Sequence, residues 1–128
     1  MSIKIAVPNK GSLSEGAMLA LREAGYRQRI DARDLICIDP ENQVEFYYLR
    51  PRDIALYVGS GELDAGITGR DLLIDSGTKA SEILPLDFGK STFRFAAPEG
   101  KNFDLDGIAG KRVATAYPGL LKNYLSNK

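Results

Sequence analysis

Three strand-like runs, each followed by a short turn and a helix-like segment, are the feature that most limits how this chain can fold. The runs are rich in apolar residues and occupy positions 3–8, 44–49 and 63–68. Strands that alternate with helices predict an α/β fold with a mostly parallel sheet. In such a sheet the turns after the carboxyl ends of the strands lie along one edge, and ligands bind at that edge.

The turn after the first run has the residues of an anion site. Gly11 allows the backbone to bend and to approach a ligand closely, and Lys10 supplies a mobile positive charge. The helix that follows offers unpaired N–H groups and the positive end of its dipole. Turns with glycine and lysine also occur in α/β proteins for chain reversal and solubility alone, so this motif by itself leaves both interpretations open.

The second and third turns place further charged residues where a strand meets a helix. Arg50 precedes a short helix predicted over 51–58, and Arg70 and Asp71 open a helix predicted to reach Ser76. We expect the three turns to converge at one edge of the sheet. For Arg70 a surface ion pair is the favoured interpretation, and for Arg50 a functional role is favoured.

The region between the first and second turns is predicted to contain a helix, a connection and a hairpin. Ser12 and Glu15 stand in capping-box spacing at the start of an amphipathic helix. Residues 26–34 carry three arginines against two aspartates, which predicts a solvated connection rather than a binding patch. The strand-like run at 35–38 and the run at 44–49 flank a turn-rich tetrapeptide, which predicts a hairpin or two adjacent strands.

The composition is that of a soluble globular domain without a global charge. Lysine plus arginine equal aspartate plus glutamate at 17 each, so no field draws the chain to nucleic acid or to an anionic membrane. No apolar run approaches the ~20 residues of a membrane span, and the N-terminus has no secretory-signal pattern. We therefore expect a cytoplasmic protein that binds neither nucleic acid nor membrane.

The absence of histidine limits the chemistry that the chain can perform. With Cys37 as the only cysteine, it cannot build a serine–histidine–aspartate triad, a cysteine–histidine pair or a tetrahedral zinc site. Cys37 lies in an apolar run and is predicted to be a buried thiol rather than a nucleophile. The remaining groups suit a reaction dominated by positioning and charge neutralisation, such as transfer from a phosphorylated donor with magnesium held by oxygen ligands.

The pattern changes in the last third of the chain. The predicted elements there are, in order, strands at 83–86 and 92–97, a loop at 101–110, a strand at 111–116 and a helix at 120–128. We place a lobe boundary at Lys90, which gives a first lobe over 1–90 and the start of a second over 91–128. Fewer than roughly 40 residues follow the boundary, too few for a domain without disulfides or metal. Either this tail packs back on the first lobe, or the chain is part of a longer protein.

Five blocks of residues carry a resemblance to a known family. In chain order they are AVPNKG at 6–11, DPEN at 39–42, LRPRDI at 49–54, GITGRD at 66–71 and RVATAYP at 112–118. The chain resembles the N-terminal part of the ATP phosphoribosyltransferase family, particularly the long form found in actinobacteria. The resemblance covers nearly the whole sequence, and five blocks in one order are far more specific than any block alone.

The resemblance implies an α/β, two-lobed catalytic domain like the type II periplasmic binding proteins, with the active site between the lobes and the second lobe incomplete here. The implied reaction joins ATP to phosphoribosyl pyrophosphate, releases pyrophosphate and opens histidine biosynthesis. The family requires Mg²⁺, is inhibited by histidine, and assembles as homo-oligomers, either dimers or hexamers.

The resemblance also implies roles for individual residues of this sequence. Lys10 and Gly11 are expected near substrate phosphates, Arg50 is expected to reach into the cleft, and Tyr117 is expected to face the adenine. The neighbouring rim is expected to consist of Gly66, Gly69 and Asp71. No catalytic residue is identified, and Asp71 is a candidate general base by position only.

The sequence departs from the family by omission. The family's phosphoribosyl pyrophosphate loop, an acidic stretch that ends in a Thr-Gly-Thr-like turn, has no counterpart between Met1 and Lys128. The C-terminal regulatory domain of the long form is absent as well. We therefore expect little or no transferase activity from this polypeptide alone. The alternatives are an anion- or nucleotide-binding module without catalysis and a structural remnant without function.

Overall fold

A computed structural model of the chain describes residues 1–100 and 104–127. The strands are β1 (Ile3–Pro8), β2 (Ile36–Asp39), β3 (Val44–Leu49) and β4 (Ala65–Gly66). The helices are α1 (Ser12–Glu23), α2 (Pro51–Gly59), α3 (Arg70–Ser76) and α4 (Pro118–Ser126), and a 3₁₀ turn spans Asp106–Ile108. None of the helices in the described ranges is long and apolar enough to cross a bilayer.

The four strands form one sheet in the order β2-β3-β1-β4. The central strand β1 runs parallel to β3, with Ile3 opposite Val44 and Pro8 opposite Leu49, and it also runs parallel to β4. Strand β2 pairs antiparallel with β3, as expected for the predicted hairpin. The predicted α/β fold with a mostly parallel sheet is confirmed, with one antiparallel strand at its edge.

The first face of the sheet packs against α1. Its fully buried side chains are Val7, Ala17, Val44, Phe46 and Tyr48. The alternating burial along β3 places every second residue on this face, as a strand covered on one side requires. Cys37, which was predicted to be buried, borders this cluster but is only half-buried, because β2 is an edge strand. Its partial burial raises the pKa of the thiol.

The opposite face packs against α2. Ala6, Ile54 and Leu63 form its buried cluster. Gly66 belongs to β4 where this strand passes beneath α2, and a Cβ at Gly66 would lie 2.5 Å from the Cγ2 atom of Ile54. The close approach of β4 to α2 therefore requires glycine at this position.

The start of α1 differs from the prediction. Gly11 is the N-cap residue and Ser12 is the first residue of the helix, so Ser12 makes no side-chain cap. The predicted capping box with Glu15 is therefore wrong. The carbonyl of Gly11 instead accepts the N–H groups of Ser14 and Glu15, at 3.1 and 3.3 Å.

The strands predicted after residue 82 are not present in the described part of the chain. The runs 83–86, 92–97 and 111–116 have no strand partner there, and Ile83 and Phe93 are exposed. A strand needs a neighbour for its backbone hydrogen bonds, which an apolar pattern alone does not supply. The run at 63–68 is likewise reduced to the two paired residues of β4.

The C-terminal helix forms as predicted and packs against α3. This contact brings the tail against the segment predicted as the first lobe, and the division into lobes stays a prediction. Within the predicted loop at 101–110, residues 101–103 lie outside the described residues, as does Lys128 at the end of the predicted helix. The lobe boundary at Lys90 stays a prediction.

Candidate functional site

The turns after β1, β3 and β4 lie at the same edge of the sheet, because these three strands are parallel. Lys10, Arg50 and Gly69 follow the three strand ends, so the predicted convergence of backbone positions holds. The side chains at this edge form two separate clusters, one around the turn after β1 and one around the start of α3.

The turn after β1 is fixed by its backbone and open on its outer side. The N–H of Asn9 donates to the carbonyl of Leu49 at 2.9 Å, which ties the turn to β3. Gly11 has φ 88° and ψ −174°, a conformation available essentially only to glycine. A Cβ at Gly11 would meet no atom of the described residues within 4 Å, and Lys10 is exposed. The turn therefore has room for a ligand above the N-terminus of α1.

A buried arginine supports this turn from beneath. Arg29 is 6% exposed, and its guanidinium donates to the backbone carbonyl of Asn9 and, at 2.9 Å each, to those of Ala32 and Asp34. The prediction of a solvated connection over 26–34 is wrong at Arg29. Sequence counting missed this residue because its partners are backbone carbonyls rather than carboxylates.

Tyr48 completes the support of Arg29. The Arg29 guanidinium carbon lies 4.1 Å from the centre of the Tyr48 ring. The Tyr48 hydroxyl accepts the backbone N–H of Arg29 at 3.0 Å and donates to the Oε1 of Gln28 at 2.9 Å. Burial raises the pKa of Tyr48. Arg29 thereby joins the core of the sheet to the turn after β1.

A pocket of about 300 Å³ opens beside the turn, with three cationic and one anionic side chain in its lining. The polar lining includes Lys10, Arg22, Arg29 and Glu15, together with the N-terminal residues Gly11 and Ser14 of the α1 region. The Oδ1 atom of Asn9 is buried and has no hydrogen-bond partner in the part of the chain that the structure describes. Excess positive charge and a helix N-terminus make this pocket suitable for an anion such as a phosphate.

Arg50 lies at the second turn with its side chain engaged on its own helix. Its Nε donates to the Oδ2 of Asp53 at 2.8 Å, and the Arg50 side chain is 74% exposed. An exposed pair of this kind is worth about 0–1 kcal/mol, so a ligand can displace it at small cost. Arg70 makes two bonds to Glu82, at 2.7 and 2.8 Å, which confirms its interpretation as a surface ion pair.

The third turn brings Gly69, Asp71 and Tyr117 together. The Oδ1 of Asp71 accepts the N–H of Leu72 at 2.8 Å, and a Cβ at Gly69 would overlap this oxygen. Burial and the negative charge of Asp71 both raise the pKa of the Tyr117 phenol. Two residues that are far apart in the sequence thus share one electrostatic environment.

The Tyr117 ring is also held by its other neighbours. Phe93 packs edge-on against it with ring centres 5.1 Å apart, and the guanidinium carbon of Arg52 lies 5.2 Å from the ring centre. Sequence reasoning assigned no role to Arg52, although it belongs to the LRPRDI block. Gly66 lies beside this cluster in the chain but packs beneath α2, and its predicted place on the rim stays a prediction.

The described residues include no group of three or more His, Cys, Asp or Glu side chains that could hold a metal ion. Magnesium usually binds through one or two carboxylates plus substrate phosphates and retains several waters. A magnesium ion at this edge would therefore have to depend mainly on ligands that a phosphorylated substrate brings.

Comparison with known proteins identifies relatives along nearly the whole chain. A family model described as "HisG: ATP phosphoribosyltransferase" matches residues 50–128. An ATP phosphoribosyltransferase of Rhodococcus opacus is 62% identical over 124 residues, which are 97% of this chain and 44% of that protein. One from Mycobacterium tuberculosis is 60% identical over 126 residues, again 44% of its length.

A solved structure is similar as well. The ATP phosphoribosyl transferase (HisG:HisZ) complex from Thermotoga maritima matches with a TM-score of 0.62 and 26% identity. The match covers 98% of this chain and 58% of that chain. The Rhodococcus opacus and Mycobacterium tuberculosis relatives are covered to only 44% of their length, so the chain spans less than half of either protein.

Proposed function

Because the chain belongs to the ATP phosphoribosyltransferase family, we propose that it forms one wall of the active-site cleft of such an enzyme. The enzyme transfers the 5-phosphoribosyl group from phosphoribosyl pyrophosphate to ATP and gives N1-(5-phosphoribosyl)-ATP and pyrophosphate. This is the first step of histidine biosynthesis. The observation that carries the proposal is the alignment of three parallel strand ends at one edge, with a cationic pocket at the first.

The chemistry of the transfer suits the residues at this edge. The bond between C1 of the ribose and the pyrophosphate oxygen breaks, and a bond between C1 and N1 of the adenine forms. The pyrophosphate leaves with the electron pair, so negative charge must be neutralised as it develops. Lys10, the Gly11 turn and the N-terminus of α1 offer positive charge and N–H donors for phosphates.

The remaining predicted residues take positions around the substrates. The exposed Arg50 side chain exchanges its partner Asp53 for a phosphate in the cleft. Gly66, Gly69 and Asp71 form the neighbouring rim. Tyr117 offers its ring to the adenine. A magnesium ion would be held mainly by the substrate phosphates and would supply neutralisation of part of their charge.

The architecture proposed for the complete active unit is a two-lobed domain of the periplasmic-binding-protein type II class. Residues 1–90 belong to the first lobe and 91–128 begin the second. The facing wall, with the loop that holds phosphoribosyl pyrophosphate, belongs to the part of the relatives that this chain does not span. The complete unit acts in the cytoplasm as a homo-oligomer, a dimer or a hexamer, and is inhibited by histidine.

A chimera tests this function. This chain replaces the matching 124 residues of the Rhodococcus opacus relative, and pyrophosphate release is measured with ATP and phosphoribosyl pyrophosphate. We expect turnover by the chimera and little or none by the 128-residue chain alone. A folded chimera without turnover contradicts the proposal, and steady turnover by the chain alone contradicts the assignment of the facing wall.

A second candidate is a nucleotide- or anion-binding module without catalysis. The observation in its favour is that, among the described residues, all those that line the cationic pocket lie between 9 and 32. Calorimetric titration of the chain with ATP separates the candidates from a structural remnant. If the chain binds ATP and the chimera is inactive, the result supports the binding module. If the chain binds no ATP at millimolar concentration, the result supports a structural remnant without function.

A further inference from the structure

Arg52, on α2, contacts both α3 and the segment that precedes α4. From α2 its Nη1 donates to the Oδ2 of Asp75 at 2.7 Å, and its Nη2 donates to the carbonyl of Ala116 at 2.8 Å. Ala116 immediately precedes Tyr117. One guanidinium therefore fixes the backbone beside the tyrosine and also faces its ring.

Asp75 supplies the second half of this connection. Its side chain is only 5% exposed, and its Oδ1 accepts the N–H of Leu120 at 2.9 Å, in the first turn of α4. The N-cap residue of α4, Tyr117, makes no side-chain cap among the described residues. The Asp75 carboxylate of α3 instead accepts a free N–H group of the first turn of α4. Hydrogen bonding to the Leu120 N–H lowers the pKa of the Asp75 carboxyl.

The contact between α3 and α4 is close enough to require glycine. A Cβ at Gly119 would overlap the backbone carbonyl oxygen of Asp75. The first turn of α4 therefore lies directly against the last turn of α3, and its position is set by Asp75 and Arg52 together. Tyr117 is the N-cap residue of this helix, so its ring follows any movement of the helix start.

We propose that Arg52 and Asp75 are positioning residues that hold the Tyr117 ring at the rim formed by Gly69 and Asp71. The inference rests on the proposed function, because positioning of the Tyr117 ring matters only if the ring contacts the adenine. Arg52 and Asp75 touch neither substrate; they act through the backbone of 116–120 and through the face of the ring.

Fluorine NMR of the chain labelled with 3-fluorotyrosine tests the positioning directly. The chain has six tyrosines, and Tyr117→Phe identifies the signal of Tyr117. We expect Arg52→Met and Asp75→Asn to move this signal toward its position in the denatured chain, while the other tyrosine signals stay in place. Asp75→Asn retains an oxygen for the Leu120 N–H, so it removes the charge that holds Arg52 without removing the helix cap.

Glu82→Gln is the matched control. It weakens the Arg70–Glu82 pair, whose shortest distance of 2.7 Å equals that of the Arg52–Asp75 pair. We expect this variant to leave the Tyr117 signal unchanged. A Tyr117 signal that stays in place in both Arg52→Met and Asp75→Asn, with the remaining spectrum of a folded chain, overturns the proposal.

Titration with magnesium-ATP provides the second readout. Tyr117→Ala and Arg52→Met each weaken ATP binding by roughly tenfold, the size that one aromatic contact supports. The double variant binds no more weakly than Tyr117→Ala, because Arg52 acts through the ring. Additive losses show that Arg52 meets the nucleotide itself, and they overturn the positioning role.

The two readouts keep the failure of this inference separate from that of the proposed function. If Tyr117→Ala leaves ATP binding unchanged, or if the unmodified chain does not bind ATP, the placement of the adenine against Tyr117 is wrong. The fluorine signals are measured without nucleotide, so they still decide whether Arg52 and Asp75 hold the ring.

Discussion

Arg29 stacks on Tyr48 at 4.1 Å from the ring centre, and the same guanidinium donates to the backbone carbonyl of Asn9. Tyr48 lies in the core of the sheet and Asn9 opens the turn that carries Lys10. The position of the candidate phosphate turn therefore depends on the buried cation Arg29. Arg29 belongs to none of the four ion pairs among the described residues. Its charge adds to the positive potential of the neighbouring pocket.

Arg29→Met should destabilise the chain by about 2–4 kcal/mol, because three backbone carbonyls lose their donor while the side-chain volume is largely kept. Urea unfolding followed by circular dichroism measures the change. Arg33→Met is the control, since Arg33 pairs with Asp31 on the surface and its replacement should leave the urea midpoint nearly unchanged. Equal losses in the two variants would contradict the structural role of Arg29.

The sequence predicted the turns of this fold better than its strands. The Lys10–Gly11 and Gly69–Arg70 turns are recognisable because glycine and basic residues stand beside each other at strand ends. Arg29 was missed because its burial depends on carbonyls from three separate points of the backbone, at 9, 32 and 34. Composition places arginine at the surface and cannot show such a convergence.

The runs after residue 82 illustrate the opposite error. Residues 92–97 have the composition of a strand, yet the described chain gives them no hydrogen-bonded neighbour. An apolar pattern indicates that a segment is suited to a sheet. It does not indicate whether a partner strand is available. The cluster of Asp71 with Tyr117 was expected only from the family resemblance, because the packing of α4 on α3 joins positions that are distant in the chain.

Gly11→Ala should cost about 1–3 kcal/mol, because φ 88° with ψ −174° is a conformation that residues with a Cβ rarely adopt. Space is not the obstacle, as nothing lies within 4 Å of the added Cβ. Gly77→Asn provides the comparison: Gly77 has φ 65° and ψ 15°, the left-handed region that asparagine tolerates, so this variant should unfold at nearly the wild-type urea concentration. A harmless Gly11→Ala would show that the turn can relax to an ordinary conformation.

Asp39 should make the stability of the chain depend on acidity. Its carboxylate accepts the backbone N–H of Arg27 at 2.8 Å and the amide of Asn42 at 2.7 Å, and these bonds lower its pKa. A carboxyl whose pKa is lower in the folded than in the unfolded state adds stability above the unfolded pKa and loses it as the pH falls through the folded pKa.

Urea unfolding between pH 7 and pH 3 measures this dependence. We expect the midpoint to fall as the solution is acidified below about pH 4, where unfolded aspartate begins to bind protons. Asp39→Asn should lower the midpoint at pH 7 and flatten the pH profile, whereas Glu41→Gln, at an exposed position of the same turn, should leave the profile unchanged. A profile of Asp39→Asn that parallels the wild type would assign the acid sensitivity to other groups.

Lys10→Gln should weaken ATP binding by about three- to tenfold at low salt, because one charge-assisted contact to a phosphate is lost. Lys4→Gln is a matched control on the strand that precedes the turn. Lys4 lies near the amino end of β1, at the edge opposite the turn, and its loss should change affinity less than twofold. Both variants reduce the net charge equally, so a difference between them reflects position rather than overall charge.

The effect of Lys10→Gln should shrink as salt screens the contact. Calorimetric titration at two ionic strengths measures both quantities, and equal losses for Lys4 and Lys10 would remove the turn after β1 from the nucleotide site.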